Sequence, residues 1–188
     1  MTMPIPAPLE LFTTAVAAEW VDYNDHLSEW AYLLIFGDNA DAFFRYIGVD
    51  DEYRAAGHSL YTVETHLRHL RECKLGQPLR LTVQLLGHDA KRLHLLHEMF
   101  AGASSPRDST APGVGCVATA EQMLLHVGTA TGRVVPFGAE LAGRLRAIAD
   151  AHERLLVPDY VGRTIRPLSA DPGGGPLGAP RREGAAGA

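Results

Sequence analysis

The stretch EWVDYNDHLSEWAYLLIFGDNADAFFRYIG, residues 19–48, decides how the chain is read. From Leu27 its apolar residues recur at helical spacing, and Leu27, Trp30, Ala31, Leu34 and Ala42 leave almost no polar face apart from the short run DNAD. Phe43, Phe44 and Ile47 resume the apolar side, and Gly48 closes it. A helix apolar nearly all round is buried in a core. Just before it, the polar cluster DYNDH interrupts a short strand pattern, FTTAVAAEWV, and offers Asn24, Asp25 or Ser28 as helix caps.

Downstream the period changes from helical to alternating. HSLYTVETHLRHL (58–70) and PLRLTVQLLGH (78–88) read as strands, the second with Leu79, Leu81, Val83 and Leu85 on one side. GHDAKR makes a turn, LHLLHEMF a third strand and GCVATAEQMLLHV a fourth. The loop AGASSPRDSTAPG between those two has a composition that predicts mobility. Segment 137–156, with Leu141, Leu145, Ile148 and Leu155, is an amphipathic outer helix. A buried helix followed by consecutive strands joined mostly by turns implies an α+β fold, with an antiparallel sheet wrapped around one central helix. The expected division is an irregular proline-rich N-terminus (1–10), one domain with its C-terminal helix (11–167), and a disordered Gly/Ala/Pro tail (168–188).

The 188 residues suit one domain, and 46% hydrophobic with 21% charged residues is ordinary for a globular chain. A net charge of −5 with scattered signs gives no footprint for nucleic acid. No apolar run approaches a membrane span, and the N-terminus lacks the basic and apolar regions of a signal peptide, so a cytoplasmic location is expected. Cys73 and Cys116, far apart and outside any C-x-x-C pair, are expected as buried free thiols.

No nucleophile elbow, dinucleotide loop, phosphate loop or H-E-x-x-H motif is present. His66/His69 and His94/His97 invite a metal, but three-residue offsets on strands send the two side chains to opposite faces, so no metal site is expected. Polar residues at the start of the buried helix are a different matter. Unpaired N–H groups and the positive dipole end suit a developing oxyanion, and Asn24, Asp25, His26 and Glu29 flank that position. A carboxylate there can serve as base or nucleophile, with Asn or His orienting substrate or water. The competing reading makes Asn24 or Asp25 a simple cap and His26 a surface residue.

Glu64 sits mid-strand, where alternation groups it with Thr62, His66 and Arg68 against Tyr61, Val63 and Leu67. It is either solvent-facing or a carboxylate brought to a subunit interface near the helix start; Glu121 has a weaker version of the same ambiguity. Arg68, Arg71, Lys74, Lys91 and Arg92 lie near strand ends and a turn, positioned for the phosphates of a nucleotide-bearing thioester or simply solvated.

The motifs EWVDYNDHLSE, SLYTVETHLRHL, AKRLHLLHEMF and TAEQMLLHV, in this order over roughly residues 12–140, resemble the hot-dog acyl-CoA thioesterases, and within them the betainyl-CoA thioesterase group, including the portion fused to carnitine dehydrogenases. The resemblance implies cofactor-free hydrolysis of a short acyl-CoA thioester by a homodimer or homotetramer with active sites between subunits. It implies a carnitine-degradation setting with a carnitine dehydrogenase in the same pathway. It also implies that Asn24 stands beside the scissile carbonyl, followed by His26 and Glu29, with Glu29, Asp25 or Glu64 activating water. Where the group reads D-Y-N-G-H, this chain has Asp25 for the glycine, which alters the expected oxyanion geometry or adds a carboxylate. A quaternary ammonium acyl group is served by aromatic faces and negative charge, for which Trp30, Tyr32, Tyr61 and Glu64 are candidates. Within the same architecture, the alternatives are an enoyl-CoA hydratase and a non-catalytic acyl-CoA-binding module.

Overall fold

A computed structural model describes residues 4–102 and 115–165. Most of the 101–113 loop and the whole 168–188 tail lie outside the described residues. The elements run β1 (Leu9–Ala15), a one-turn 3-10 helix (Ala18–Trp20), α1 (Glu29–Ile47), α2 (Asp51–Ala55), β2 (His58–His69), β3 (Pro78–His88), β4 (Arg92–Ala101), β5 (Cys116–Gly128), β6 (Arg133–Val134) and α3 (Ala139–His152).

The strands form one sheet in the order β1-β3-β4-β5-β2, with β6 pairing β5 and every pairing antiparallel. Facing partners share a side of the sheet. The register therefore sets Leu81, Val83, Leu93, Leu95, Met99 and Leu124 on the side toward α1, and all six are buried. Against them α1 places Ala31, Ile35, Phe36, Phe43 and Ile47, each at most 1% exposed. This is the helix-in-sheet arrangement that periodicity and the resemblance both imply. Gly48 ends α1 with φ 88°, and its N–H and that of Val49 return to the carbonyls of Arg45 and Phe44.

Three details depart from the sequence reading. β1 starts at Leu9, inside the stretch read as irregular, and ends at Ala15; Ala18–Trp20 then turn as a 3-10 helix instead of prolonging the strand. Residues 51–55, to which the sequence reading assigns no element, form α2, because the Asp50 carboxylate accepts the Tyr53 N–H at 3.0 Å and caps an acidic first turn.

The third departure decides where Glu64 goes. A bulge at Val63 shifts the β2–β5 register between Thr62 and Glu64. Thr62 pairs with Leu124 on the helix side, whereas Glu64 pairs with Met123, His66 with Glu121 and Arg68 with Thr119 on the outer side. Glu64 is thus separated from Thr62. Tyr61 and Val63, expected on the apolar side, are 49% and 55% exposed, because β2 is an edge strand. The outer side also carries His94, whose Nε2 lies 2.7 Å from Glu121, and receives the C-terminal segment. There the Tyr160 hydroxyl donates to Glu98, Gly162 N–H donates to Glu121, and the Arg68 guanidinium lies over the Tyr160 ring. His97, three residues from His94, is fully buried on the helix side, as the strand reading requires.

Candidate active site

A cleft of about 390 Å3 opens where the loop before α1 meets the end of β2; it is lined by Asp22, Asn24, His26, Leu27, Glu29, Tyr32 and His69–Glu72. Its floor is tied down by backbone bonds between distant segments. Leu27 N–H donates to the Cys73 carbonyl at 2.7 Å, His26 bridges to Lys74, and Ser28 N–H donates to the Trp20 carbonyl.

Asp22 organises the loop. One carboxylate oxygen accepts the N–H groups of Asn24 and His26 at 2.8 and 3.2 Å, while Asp22 N–H donates to the His26 carbonyl. Asp25 takes φ 60°, the left-handed conformation a glycine would adopt there, and its N–H donates to the Asp22 carbonyl. The aspartate at this position is thus held in a conformation that glycine adopts freely, and Asp25 itself does not line the cleft.

Ser28 is the N-cap of α1 but makes no side-chain capping bond. The first-turn N–H groups of Glu29 and Trp30 accordingly point outward without an intrahelical acceptor. Asn24, His26 and Glu29 surround this positive end of a 19-residue helix. His26 Nε2 lies 3.1 Å from Glu72 Oε2.

The opposite wall is Tyr32, whose hydroxyl donates to the Arg71 carbonyl at 3.3 Å and whose ring meets His69 edge-on at 4.7 Å. Burial, reinforced by its neighbour Cys73, pushes the Tyr32 hydroxyl well above its ordinary range, so it stays a donor. Cys73 and Cys116 are buried free thiols, as expected; burial raises both, Cys116 to about 12.

Of the residues singled out in the sequence, the cleft gathers Asn24, His26, Glu29, Tyr32 and Arg71. Trp30 stands 56% exposed next to it in the chain. Others are not brought there by this chain. Glu64 and Arg68 are carried to the outer side by the bulge, and Tyr61 lies toward the far end of β2. Lys91 lies in the β3–β4 turn and Arg92 opens β4, where Asp89 accepts both backbone N–H groups and the Arg92 Nε–H. Those bonds, led by the Lys91 N–H, hold Asp89 down to about 2. Sequence reasoning missed Asp22, His69 and Glu72. Asp22 carried a signal, as an Asx residue two and four positions before the N–H groups it binds. Among the described residues, no group of three His, Cys, Asp or Glu side chains is arranged to hold a metal.

The chain resembles known proteins along most of its length. The L-carnitine dehydrogenase/betainyl-CoA thioesterase of Rhizobium meliloti is 49% identical over 158 residues, 84% of this chain and 30% of that one. The chain thus spans under a third of that fused relative. The betainyl-CoA thioesterase of Pseudomonas aeruginosa is 45% identical over 159 residues, covering 84% of this chain and 94% of its own. A solved Pseudomonas putida KT2440 protein, described as a candidate thioesterase, superposes with a TM-score of 0.71 at 36% identity, over 89% of this chain and all of that one. A Staphylococcus aureus protein solved in complex with CoA shares the fold, with a TM-score of 0.73 at 24% identity over 87% of this chain and 98% of its own. The family model described as the thioesterase-like superfamily matches residues 16–145, from the end of β1 into α3, and the chain belongs to that superfamily.

Proposed function

We propose that the chain hydrolyses a short acyl-CoA thioester, betainyl-CoA, to the free acid and CoA. The observation that carries this reading is the convergence of Asn24, His26 and Glu29 on the open first turn of α1. Glu29 takes a proton from water as the oxygen attacks the thioester carbonyl. The Asn24 carboxamide and the first-turn N–H groups meet the oxyanion that develops. The intermediate then collapses, the C–S bond breaks, and CoA leaves as a thiolate, a good leaving group because thiol pKa values lie near 8.5. His26 orients the water.

Cleft charge supports a cationic acyl group. Two carboxyl side chains, Asp22 and Glu29, share the cleft with one guanidinium, Arg71, while Glu72 pairs with His26. Aromatic surface beside them comes from Tyr32. Arg71 is the basic residue available to a CoA phosphate.

The same reading includes a homodimer built through the free edge of β2, a cytoplasmic location where acyl-CoA is made, and a carnitine dehydrogenase in the same pathway. The fused relatives named for both activities support the last point. Among the described residues, no helix is long and apolar enough to cross a membrane.

Thiol release from betainyl-, acetyl-, butyryl- and 4-hydroxybenzoyl-CoA tests the reading. Preference for betainyl-CoA supports both the reaction and the cation pocket. Activity on another member keeps the reaction and discards the betaine assignment; no release from any sets hydrolysis aside in favour of an enoyl-CoA hydratase or an acyl-CoA-binding module.

A further inference from the structure

We infer that Glu72 is the positioning residue for His26 in thioester hydrolysis, fixing which ring nitrogen faces the reacting water. The inference rests on the hydrolase reading above and adds a residue to it.

His26 is held by its backbone at several points: its N–H reaches Asp22 Oδ1, its carbonyl accepts Asp22 N–H, and it bridges to Lys74. Glu72 sits on the same bridged segment, one residue before Cys73, whose carbonyl takes the Leu27 N–H. Backbones anchored on both sides therefore bring the two side chains together at 3.1 Å. The pair spans 46 positions of sequence.

The contact assigns the ring's chemistry. Glu72 Oε2 stands at ion-pair distance from Nε2, 3.1 Å, and a carboxylate charge at that distance favours the proton on Nε2 over Nδ1. Nδ1, which has no partner among the described residues, is left with its lone pair. It can accept a hydrogen bond from the water that Glu29 deprotonates, and both residues line the cleft. One water hydrogen goes to Glu29, the other is held by His26 Nδ1, and the oxygen lone pair is aimed at the carbonyl carbon. Glu72 touches neither water nor substrate, and its side chain is 72% exposed. As a contribution to folding such a pair is worth little.

The experiment is a double-mutant cycle on thiol release with the full chain, using His26→Ala, Glu72→Ala and both together, with thermal melting as a fold check. Wild-type turnover of the thioester panel comes first; no thiol from any member overturns the hydrolase reading and this role with it. Given turnover, Glu72→Ala lowers kcat about tenfold with KM within about threefold. Glu72→Asp restores part of the loss. The double variant is no slower than His26→Ala alone, because Glu72 has nothing left to position. Two results overturn the inference: a Glu72→Ala enzyme within twofold of wild type, or losses that multiply in the double variant.

Discussion

Asp25 donates its backbone N–H to the Asp22 carbonyl at 3.1 Å from a left-handed conformation with φ 60°. Aspartate is among the few side chains that tolerate this region, and a β-branched residue is not. Asp25→Gly is therefore expected to keep or raise stability, by up to about 1 kcal/mol, with thiol release within a few-fold of wild type. Asp25→Val is expected to lose about 1–3 kcal/mol and to disturb the Asn24 and His26 backbones on either side. Urea midpoints and thiol release on the three proteins check both points. An Asp25→Val enzyme as stable as wild type would mean that the loop adopts another conformation in solution.

Of Asp25, Glu29 and Glu64, Glu29 alone lines the cleft of its own chain, and the proposed reaction gives it the proton transfer. Asp25 does not line the cleft, and Glu64 pairs with Met123 on the far side of the sheet. Glu29→Gln keeps the shape and removes the basic oxygen. It is expected to lower kcat by a factor of about 100 or more with little change in KM. Glu64→Gln, tested beside it, is expected to stay within a few-fold. If the two variants exchange these outcomes, the base is delivered by β2 of a second copy.

These two carboxylates show what is legible in the sequence and what is not. Helical period, Gly48 and the alternation in β3 to β5 carry local information, and they place α1 and those strands within a few residues. The first strand reads as starting too late because proline-rich residues before Leu9 mask its start. Strict alternation assigns Glu64 a side, and the bulge at Val63 breaks alternation with no glycine or proline to announce it. Glu72 and His69 are invisible for another reason. Their place in the cleft follows from the His26–Lys74 bridge, a pairing between segments far apart in the chain. Lys91 and Arg92 group with Arg71 in sequence as basic residues near strand ends, but a hairpin puts the β3–β4 turn at the opposite end of the sheet.

His97 makes stability depend on pH. Asn39 Nδ2 donates to His97 Nδ1 at 2.9 Å and lies 3.3 Å from the Thr82 carbonyl, so the ring is held neutral beneath α1. Burial pushes His97 down to about 4, with Gln122 opposing slightly. Above pH 6.5 the ring is neutral in both folded and unfolded chains, and its contribution to stability is full. As pH falls from 6.5 toward 4, the unfolded chain takes up a proton that the folded one refuses, and stability is lost. The loss is on the order of 3 kcal/mol and levels off below about pH 4. Burial lowers His152 as well, which adds to the same trend. Urea titrations between about pH 7 and 4.5 are expected to show this decline in wild type and a flatter one in His97→Gln, whatever the variant's absolute stability. Equal slopes would mean that His97 is reached by solvent protons in the folded state.

The free edge of β2 carries the remaining prediction. Among the described residues no strand neighbours its outer N–H and C=O groups, and Tyr61 and Val63 stand exposed along it. A two-fold pairing with a second copy, in the antiparallel sense, would run the His58 end of one strand along the His69 end of the other. Each cleft, which lies beyond His69, would then be approached by Tyr61 of the other copy. Arg92 would approach from the same cross-strand row, since Tyr61 and Arg92 both face Leu125. The proposed dimer thus supplies residues that the single chain leaves out of its cleft. Val63→Lys places a charge on this edge without touching the cleft of its own chain. It is expected to reduce the sedimenting mass to that of one 20.3 kDa chain and to lower turnover at least tenfold, with the circular dichroism spectrum retained. A Val63→Lys protein that stays dimeric and active would place the interface elsewhere, and Tyr61, Lys91 and Arg92 would lose their route to the substrate.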